Sequence, residues 1–300
     1  MPTVGEVVQR TIALRSPGLA PRTVESYQRL AGFVMASPLA LAPDGPESAP
    51  LASLLLAQQL DRGHGRTAEQ LYVFLRMCSP RLMDGVKRPK FQRRSPVFVS
   101  AEEAARLLRA AEGSPLKLAV WLALCCGLRR GELAGLRWVD VDPAAGCLHV
   151  RNQRQRIKGK GLVDGPPKSA SGVRDVPVPA DLMAMLCDAQ FSAAAESLLD
   201  GQNRPYVLSG PAGQGTDPNA LDKGFSALCS AAGVRCTVHG LRHTMATIGS
   251  CAGVPLRILQ QILGHASAST TAAYYAHVYD DALTEAAKTI RLKLPKTPDS

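Results

Sequence analysis

The chain has 300 residues, 46% of them hydrophobic, enough for one large domain or two ordinary ones with a real core. Its 35 Lys and Arg outnumber 25 Asp and Glu, and the resulting +10 charge favours a polyanionic partner such as nucleic acid. The longest uncharged apolar run, Leu118 to Leu128, falls short of the roughly 20 residues that cross a bilayer, and Glu6, Arg10 and Arg15 interrupt the N-terminus where a signal peptide needs an apolar stretch; a membrane or secreted protein is therefore not expected.

From Val4 to about Ser79 the pattern is helical. Pro21-Arg22-Thr23 opens a stretch in which Val24, Tyr27, Leu30, Ala31 and Val34 recur at three- and four-residue spacing, and further helices are expected at Leu51 to Leu60 and Thr67 to Cys78, with Ser37 to Pro50 separating the two pairs. The segment Val86 to Pro96 is too rich in charge and proline for helix or buried strand. We read residues 87–97 as a linker between a domain at 1–86 and a second at 98–300. Lys87, Arg88, Lys90, Arg93 and Arg94 make that linker a candidate strap across phosphates.

Ser100-Ala-Glu-Glu103 is a capping box ahead of an amphipathic helix to about Ala111. Leu116 to Cys126 is apolar on most faces, hence a central helix, which Gly127 ends. Cys147 to Ile157 and Gly172 to Pro179 read as strands joined by a Gly- and Pro-rich connection. Helices follow at Ala180 to Leu199, Pro218 to Ala231, His239 to Ala252, Leu256 to Leu263 and Asp280 to Leu292. The fold class is mainly α with a small antiparallel β-sheet.

Eight cysteines fall mostly inside apolar helical patterns and include no Cys-x-x-Cys. Cys229, Cys236, His239 and His243 offer zinc-type ligands, but six residues between the cysteines and only two before His239 do not match structural zinc spacing. No metal and no cofactor is expected.

Chemistry concentrates in Gly127-Leu-Arg129-Arg-Gly-Glu132-Leu133, His239-Gly-Leu-Arg242-His243, Leu263-Gly264-His265 and Thr270-Thr-Ala-Ala-Tyr274-Tyr275-Ala-His277. A tyrosine attacking a phosphodiester must lose its proton, the crowded phosphorane must be neutralised, and the departing oxygen must gain a proton. Arginine suits the second task, since its fork stays charged and bonds two phosphate oxygens at once.

These segments resemble the active-site boxes of the tyrosine recombinases, or phage integrase family. The resemblance covers about residues 20 to 280, strongly in the boxes and loosely in the N-terminal part. It implies Arg129 and Arg242 as a phosphate clamp, His239 as a proton-transfer and phosphate-contacting group, His265 as a further phosphate contact and Glu132 as the acidic residue that holds the site together. Lys168, in Pro166-Pro167-Lys168-Ser169 ahead of Gly172-Val-Arg174-Asp-Val-Pro, is similar to the family's β-hairpin lysine that protonates the 5′-hydroxyl, with Lys158 and Lys160 as nearby competitors. The nucleophile is Tyr275 if the Tyr-x-His pattern with His277 rules, and Tyr274 if a nine-residue spacing from His265 does. Arg151, Arg154 and Arg156, with Lys158 and Lys160, recur mostly at alternate positions, so one strand edge would present them to DNA.

The resemblance further implies an N-terminal helical core-binding, SAM-like domain and a C-terminal catalytic domain that close around duplex DNA at a specific recombination site as a C-shaped clamp. It implies a monomer that assembles into a homo-tetramer on DNA, strand exchange through a 3′-phosphotyrosyl bond without metal or ATP, and a bacterial cytoplasmic, nucleoid-associated enzyme of the short, Xer-like kind. The stripe Leu283, Ala286, Ala287 and Ile290 is expected to dock on a neighbouring protomer. The alternatives are a non-catalytic DNA-binding protein that retains the fold, and type IB topoisomerase-like cleavage.

Overall fold

The computed structural model describes residues 1–92, 98–210 and 213–266. Arg93, Arg94, Tyr274, Tyr275, His277 and the helix expected at 280–292 lie outside the described residues. The chain divides into two compact units, Met1–Ser95 and Pro96–Ser300.

The first unit holds four helices, α1 (Val4–Arg15), α2 (Pro21–Met35), α3 (Ala49–Asp61) and α4 (Gly65–Cys78). Thr3 caps α1 through a box with Glu6, and Pro21 starts α2 where its missing N–H costs nothing. Val4, Val8, Leu30, Ala31, Val34, Leu55, Leu71 and Leu75 lie in the core; of the apolar row marked in α2, Leu30, Ala31 and Val34 are buried there and Tyr27 packs against it, while Val24 is only half-buried. Beyond α4 the chain stays with this unit: Leu82, Met83 and Val86 are buried, and a Cβ on Gly65 would stand 2.4 Å from the Phe91 ring.

The second unit begins with α5 (Ala101–Ala111), capped by Ser100 and Glu103, then α6 (Lys117–Cys125) and a six-residue α7 (Arg130–Gly135). Strands β1 (Val141–Asp142), β2 (Cys147–Val150), β3 (Gln153–Ile157), β4 (Gly161–Gly165) and β5 (Arg174–Pro177) follow, then α8 (Ala180–Asp200), α9 (Pro218–Ala231), α10 (Val238–Cys251) and α11 (Leu256–Leu263). α6 is central, as its all-round apolarity demands: Val120, Leu122 and Ala123 lie in the same core as Leu241 of α10, Leu107 of α5 and Phe225 of α9.

The β region differs from the sequence reading. Cys147 to Ile157 is two strands in two sheets: β2 sits between β1 and β5, while β3, among the described residues, pairs only with β4, Gln153 opposite Gly165 and Ile157 opposite Gly161. The chain breaks at Arg151-Asn152, where the Asn152 amide donates to the Gly135 carbonyl and α7 lies so close that a Cβ on Gly135 would stand 2.8 Å from the Arg154 nitrogen. β4 hides in the sequence because Gly159 and Gly161, with φ of 77° and 74°, turn the hairpin in left-handed backbone and read as loop. α7 is too short to show a period.

Candidate active site

The C-terminus of α11 organises the site. Gly264 ends this helix in the left-handed conformation at φ 61°, and the last carbonyls need donors from elsewhere. Three arginines supply them. Arg174 Nε donates to the Ile262 carbonyl at 2.5 Å, Arg242 Nη2 to that of Leu263, and Arg129 Nη2 to that of Gly264 at 2.7 Å. The negative end of one helix thus gathers three guanidinium groups from the start of α7, from β5 and from α10.

Gly264 leaves no room for a side chain, since a Cβ there would stand 2.5 Å from the Ser171 carbonyl oxygen and 2.9 Å from Arg174 Cδ. Gly127 does the same at the end of α6: its φ is 60°, a Cβ would stand 2.8 Å from Leu263, and its carbonyl accepts Arg242 Nη1. Arg242 is only 1% exposed, so both prongs of its fork are set by backbone.

Glu132, 2% exposed, locks the cluster from below. Its carboxylate accepts the Arg129 backbone N–H at 2.9 Å and Arg129 Nη1 at 2.6 Å, and takes a two-pronged bond from Arg174 at 3.1 and 2.9 Å. Burial alone raises the Glu132 carboxyl, but the bonds and charge of Arg174 and the charge of Arg129 outweigh it and hold it at about 2. Arg174, whose side chain is 6% exposed, is a site residue that sequence reasoning passed over. In the sequence, Arg174 stands out only as part of the strand that follows Lys168.

His239 and Arg242, three apart near the start of α10, share one helix face, and Thr237 caps that helix by accepting the Gly240 N–H at 2.9 Å. His243, one turn on, meets His239 edge to face with centroids 4.5 Å apart. Burial lowers all three histidines, reinforced by positive neighbours: His239 feels Arg242 and Arg129, His265 is pushed to about 4 with the same two arginines contributing, and His243 to about 4 with His239 and Arg242 contributing. At neutral pH they are uncharged, so His239 can accept a proton or a hydrogen bond. The site as a whole is a cationic pocket that an anion would relieve.

These shifts make the fold acid-labile. Below about pH 6.5 the unfolded chain protonates His243 while the folded chain resists down to about 4, and Glu132 repeats this between 4.5 and about 2. Both depressed values act in the same direction, so stability present at pH 7 is lost as pH falls, by on the order of 3 kcal/mol for each group. Thermal melts from pH 7 to 3 should show this decline, and Glu132→Gln should lower the pH 7 melting temperature and flatten the acid end. A melting temperature independent of pH across that range would contradict the assignment.

The remaining candidates divide. Lys168 is exposed in the connection between β4 and β5, whose Ser171 carbonyl touches Gly264; the β3–β4 hairpin tip carries Lys158 and Lys160 instead. Lys87 and Lys90 are exposed, and exposed Arg88 pairs with Glu69 at 2.6 Å.

The single basic edge expected from Arg151, Arg154 and Arg156 does not form. Arg151 is exposed and Arg156 bonds Asp217 at 2.6 Å, but Arg154 is 8% exposed, forks onto Asp164 at 2.7 and 3.1 Å and stacks 4.1 Å above the Tyr206 ring. Asp164 also accepts Arg137 at 3.1 Å and the Tyr206 hydroxyl at 2.7 Å, so Arg154 fastens the hairpin rather than facing solvent. Arg154→Ala should therefore cost roughly 2 to 3 kcal/mol of stability and barely change the salt dependence of duplex binding. A reduced salt slope with an unchanged melting temperature would restore it to the DNA face.

Cys229, Cys236, His239 and His243 do not converge. Cys229 and Cys236 turn their thiols to the carbonyls of Cys236 and Thr237, and among the described residues only Asp142, Cys147 and His149 bring three such ligand atoms together.

Comparison with known proteins gives the family and the fold. The Phage integrase family profile matches residues 98–281, more than half of the chain. A protein named Tyrosine recombinase XerC-like from Caldanaerobacter subterraneus subsp. tengcongensis is 31% identical over 224 residues, covering 70% of this chain and 57% of that protein. The Putative prophage phiRv2 integrase of Mycobacterium tuberculosis is 34% identical over 165 residues, 52% of this chain and 40% of the relative. The chain thus spans about half the length of these relatives. The fold matches the Tn1549 transposon integrase at a TM-score of 0.82 and 20% identity, covering 96% of this chain and all of the other. With the family profile matching more than half of its residues, the chain belongs to the phage integrase family.

Proposed function

We propose that the protein is a site-specific DNA recombinase that cleaves and rejoins strands through a 3′-phosphotyrosyl intermediate. The observation that carries the reading is the cage of Arg129, Arg174 and Arg242 at the end of α11, beside neutral His239 and His265. In this scheme the scissile phosphate sits against Arg129 and Arg242. The hydroxyl of Tyr275, or Tyr274, attacks phosphorus as His239 receives its proton, and Lys168 gives a proton to the departing 5′-oxygen. The 5′-hydroxyl of a partner strand reverses the step. The bond energy stays in the covalent link, so neither ATP nor metal is consumed. Glu132 and Arg174 act as positioning residues.

Residues 1–86 would be the core-binding domain, 87–97 the linker and 98–300 the catalytic domain, closing on duplex DNA, with four protomers pairing two sites in the bacterial nucleoid. The integrase of similar fold is bound to a circular intermediate DNA, which supports duplex DNA as the partner. The test is covalent trapping on a pool of nicked duplexes with randomised central sequence, followed by mapping of the modified residue. A tyrosine adduct and partner exchange support recombination; plasmid relaxation without exchange supports topoisomerase-like cleavage; duplex binding with no adduct supports a non-catalytic DNA-binding protein.

A further inference from the structure

Away from the arginine cage, the outer face of the β1–β2–β5 sheet carries a mixed set of ligand-type side chains. In β2, Leu148 and Val150 point into the core, which turns Cys147 and His149 to the other face, two residues apart. Asp142 of β1 is the cross-strand partner of Cys147, and Asp175 of β5 that of His149. One donor atom each from Asp142, Cys147 and His149 lies within 4.8 Å of the other two, and all three residues are half-buried.

We propose that Asp142, Cys147 and His149 form a divalent transition-metal site of the zinc class, with Asp175 as the carboxylate that orients His149. The donor set of one thiolate, one imidazole and one carboxylate is of the kind zinc takes, with water in the fourth position. Tetrahedral zinc holds its donors about 3.3 to 3.8 Å apart, as follows from bonds of 2.0 to 2.3 Å. His149 Nε2 and Asp142 Oδ2 already stand 3.5 Å apart, and since the three donor atoms all lie within 4.8 Å of one another, closing the set takes a shift of about 1 Å.

His149 Nδ1 lies 2.7 Å from Asp175 Oδ1, the carboxylate–histidine arrangement that fixes the tautomer and leaves the Nε2 lone pair for the metal. Asp142 is held as well, since its Oδ1 accepts the Ala145 N–H at 2.9 Å in the β1–β2 turn while Oδ2 faces His149. On binding, the Cys147 thiol gives its proton to solvent and the thiolate takes the metal. Sequence spacing does not reveal the set, because Asp-x₄-Cys-x-His matches no zinc motif and the fourth member comes from β5. The site staples three strands, one of which presents Arg174 from its opposite face to Glu132. This inference rests on the sheet geometry alone and stands apart from the recombinase reading.

The test uses the 300-residue chain, stripped with chelator, titrated with Zn²⁺ against a chromophoric chelator and with Co²⁺ as spectroscopic probe. One equivalent of metal, a raised melting temperature and a thiolate-to-cobalt charge-transfer band are expected. The band should persist in Cys251→Ser and vanish in Cys147→Ser and His149→Gln. Asp175→Asn should keep the band but weaken zinc binding by about 10- to 100-fold. If Cys147→Ser fails to fold, Asp142→Asn, whose side chain is 36% exposed, serves the same comparison, with weakened binding expected. No stoichiometric binding, or a band that survives Cys147→Ser, overturns the proposal and leaves the cluster as a His149 ion pair with Asp142 and Asp175.

Discussion

Tyr275→Phe is expected to abolish covalent protein–DNA adducts while leaving duplex binding nearly unchanged. The substitution removes one hydroxyl and keeps the ring, so only the attacking group of the proposed reaction is lost. The register rests on the Tyr-x-His pattern that ends at His277, against the shorter spacing from His265 that selects Tyr274. Both single variants should be run side by side, with adducts resolved on denaturing gels and binding followed by anisotropy. Loss of adduct in Tyr274→Phe together with normal adduct in Tyr275→Phe would assign Tyr274. Normal adduct in both single variants would remove this tyrosine pair from the chemistry.

Arg242→Lys should lower strand cleavage by about 100- to 1,000-fold, the effect of losing one preorganised donor worth roughly 3 to 4 kcal/mol at a developing oxyanion. Retained charge is not expected to compensate. Arg242 spans the carbonyls of Gly127 and Leu263 with two nitrogens of one rigid fork, and a lysine ammonium is a point that cannot span both. Leaving a buried carbonyl without its donor also costs about 1 to 3 kcal/mol of stability, so cleavage must be measured well below the melting temperature. Arg129→Lys should match the cleavage defect with a smaller loss of stability, because its side chain is 32% exposed. Duplex affinity should change little in either variant. Near-normal cleavage would remove that arginine from the phosphate clamp.

The longer helices were legible because their signals are local, whereas α7 was not. Thr3 with Glu6, Ser100 with Glu103, Pro21 at a helix start and the apolar rows of α2 and α4 act within one or two turns. The boxes around Arg129, Arg242 and His265 were legible for a related reason, since residue types and short spacings alone carry them. Arg174 carried no such signal. Its partners, Glu132 and the Ile262 carbonyl, lie 42 and 88 residues away, and only the pairing of β5 with β2 turns its side chain inward.

Arg154 is the opposite case, a basic residue of a strand that lies buried. Alternation along a strand says which residues share a face but not whether that face meets water, and Asp164 and Tyr206 arrive there from β4 and from the segment before α9. The sequence by itself determined where most of the longer helices lie, to within about two residues, that the chain is basic, and which residue types could hold a phosphate. The tertiary structure decided which of those charges are neutralised in pairs and which gather at one helix terminus. Ion-pair partners are chosen by packing between elements distant in the chain, and a burial cost of several kcal/mol per unpaired charge leaves few other arrangements.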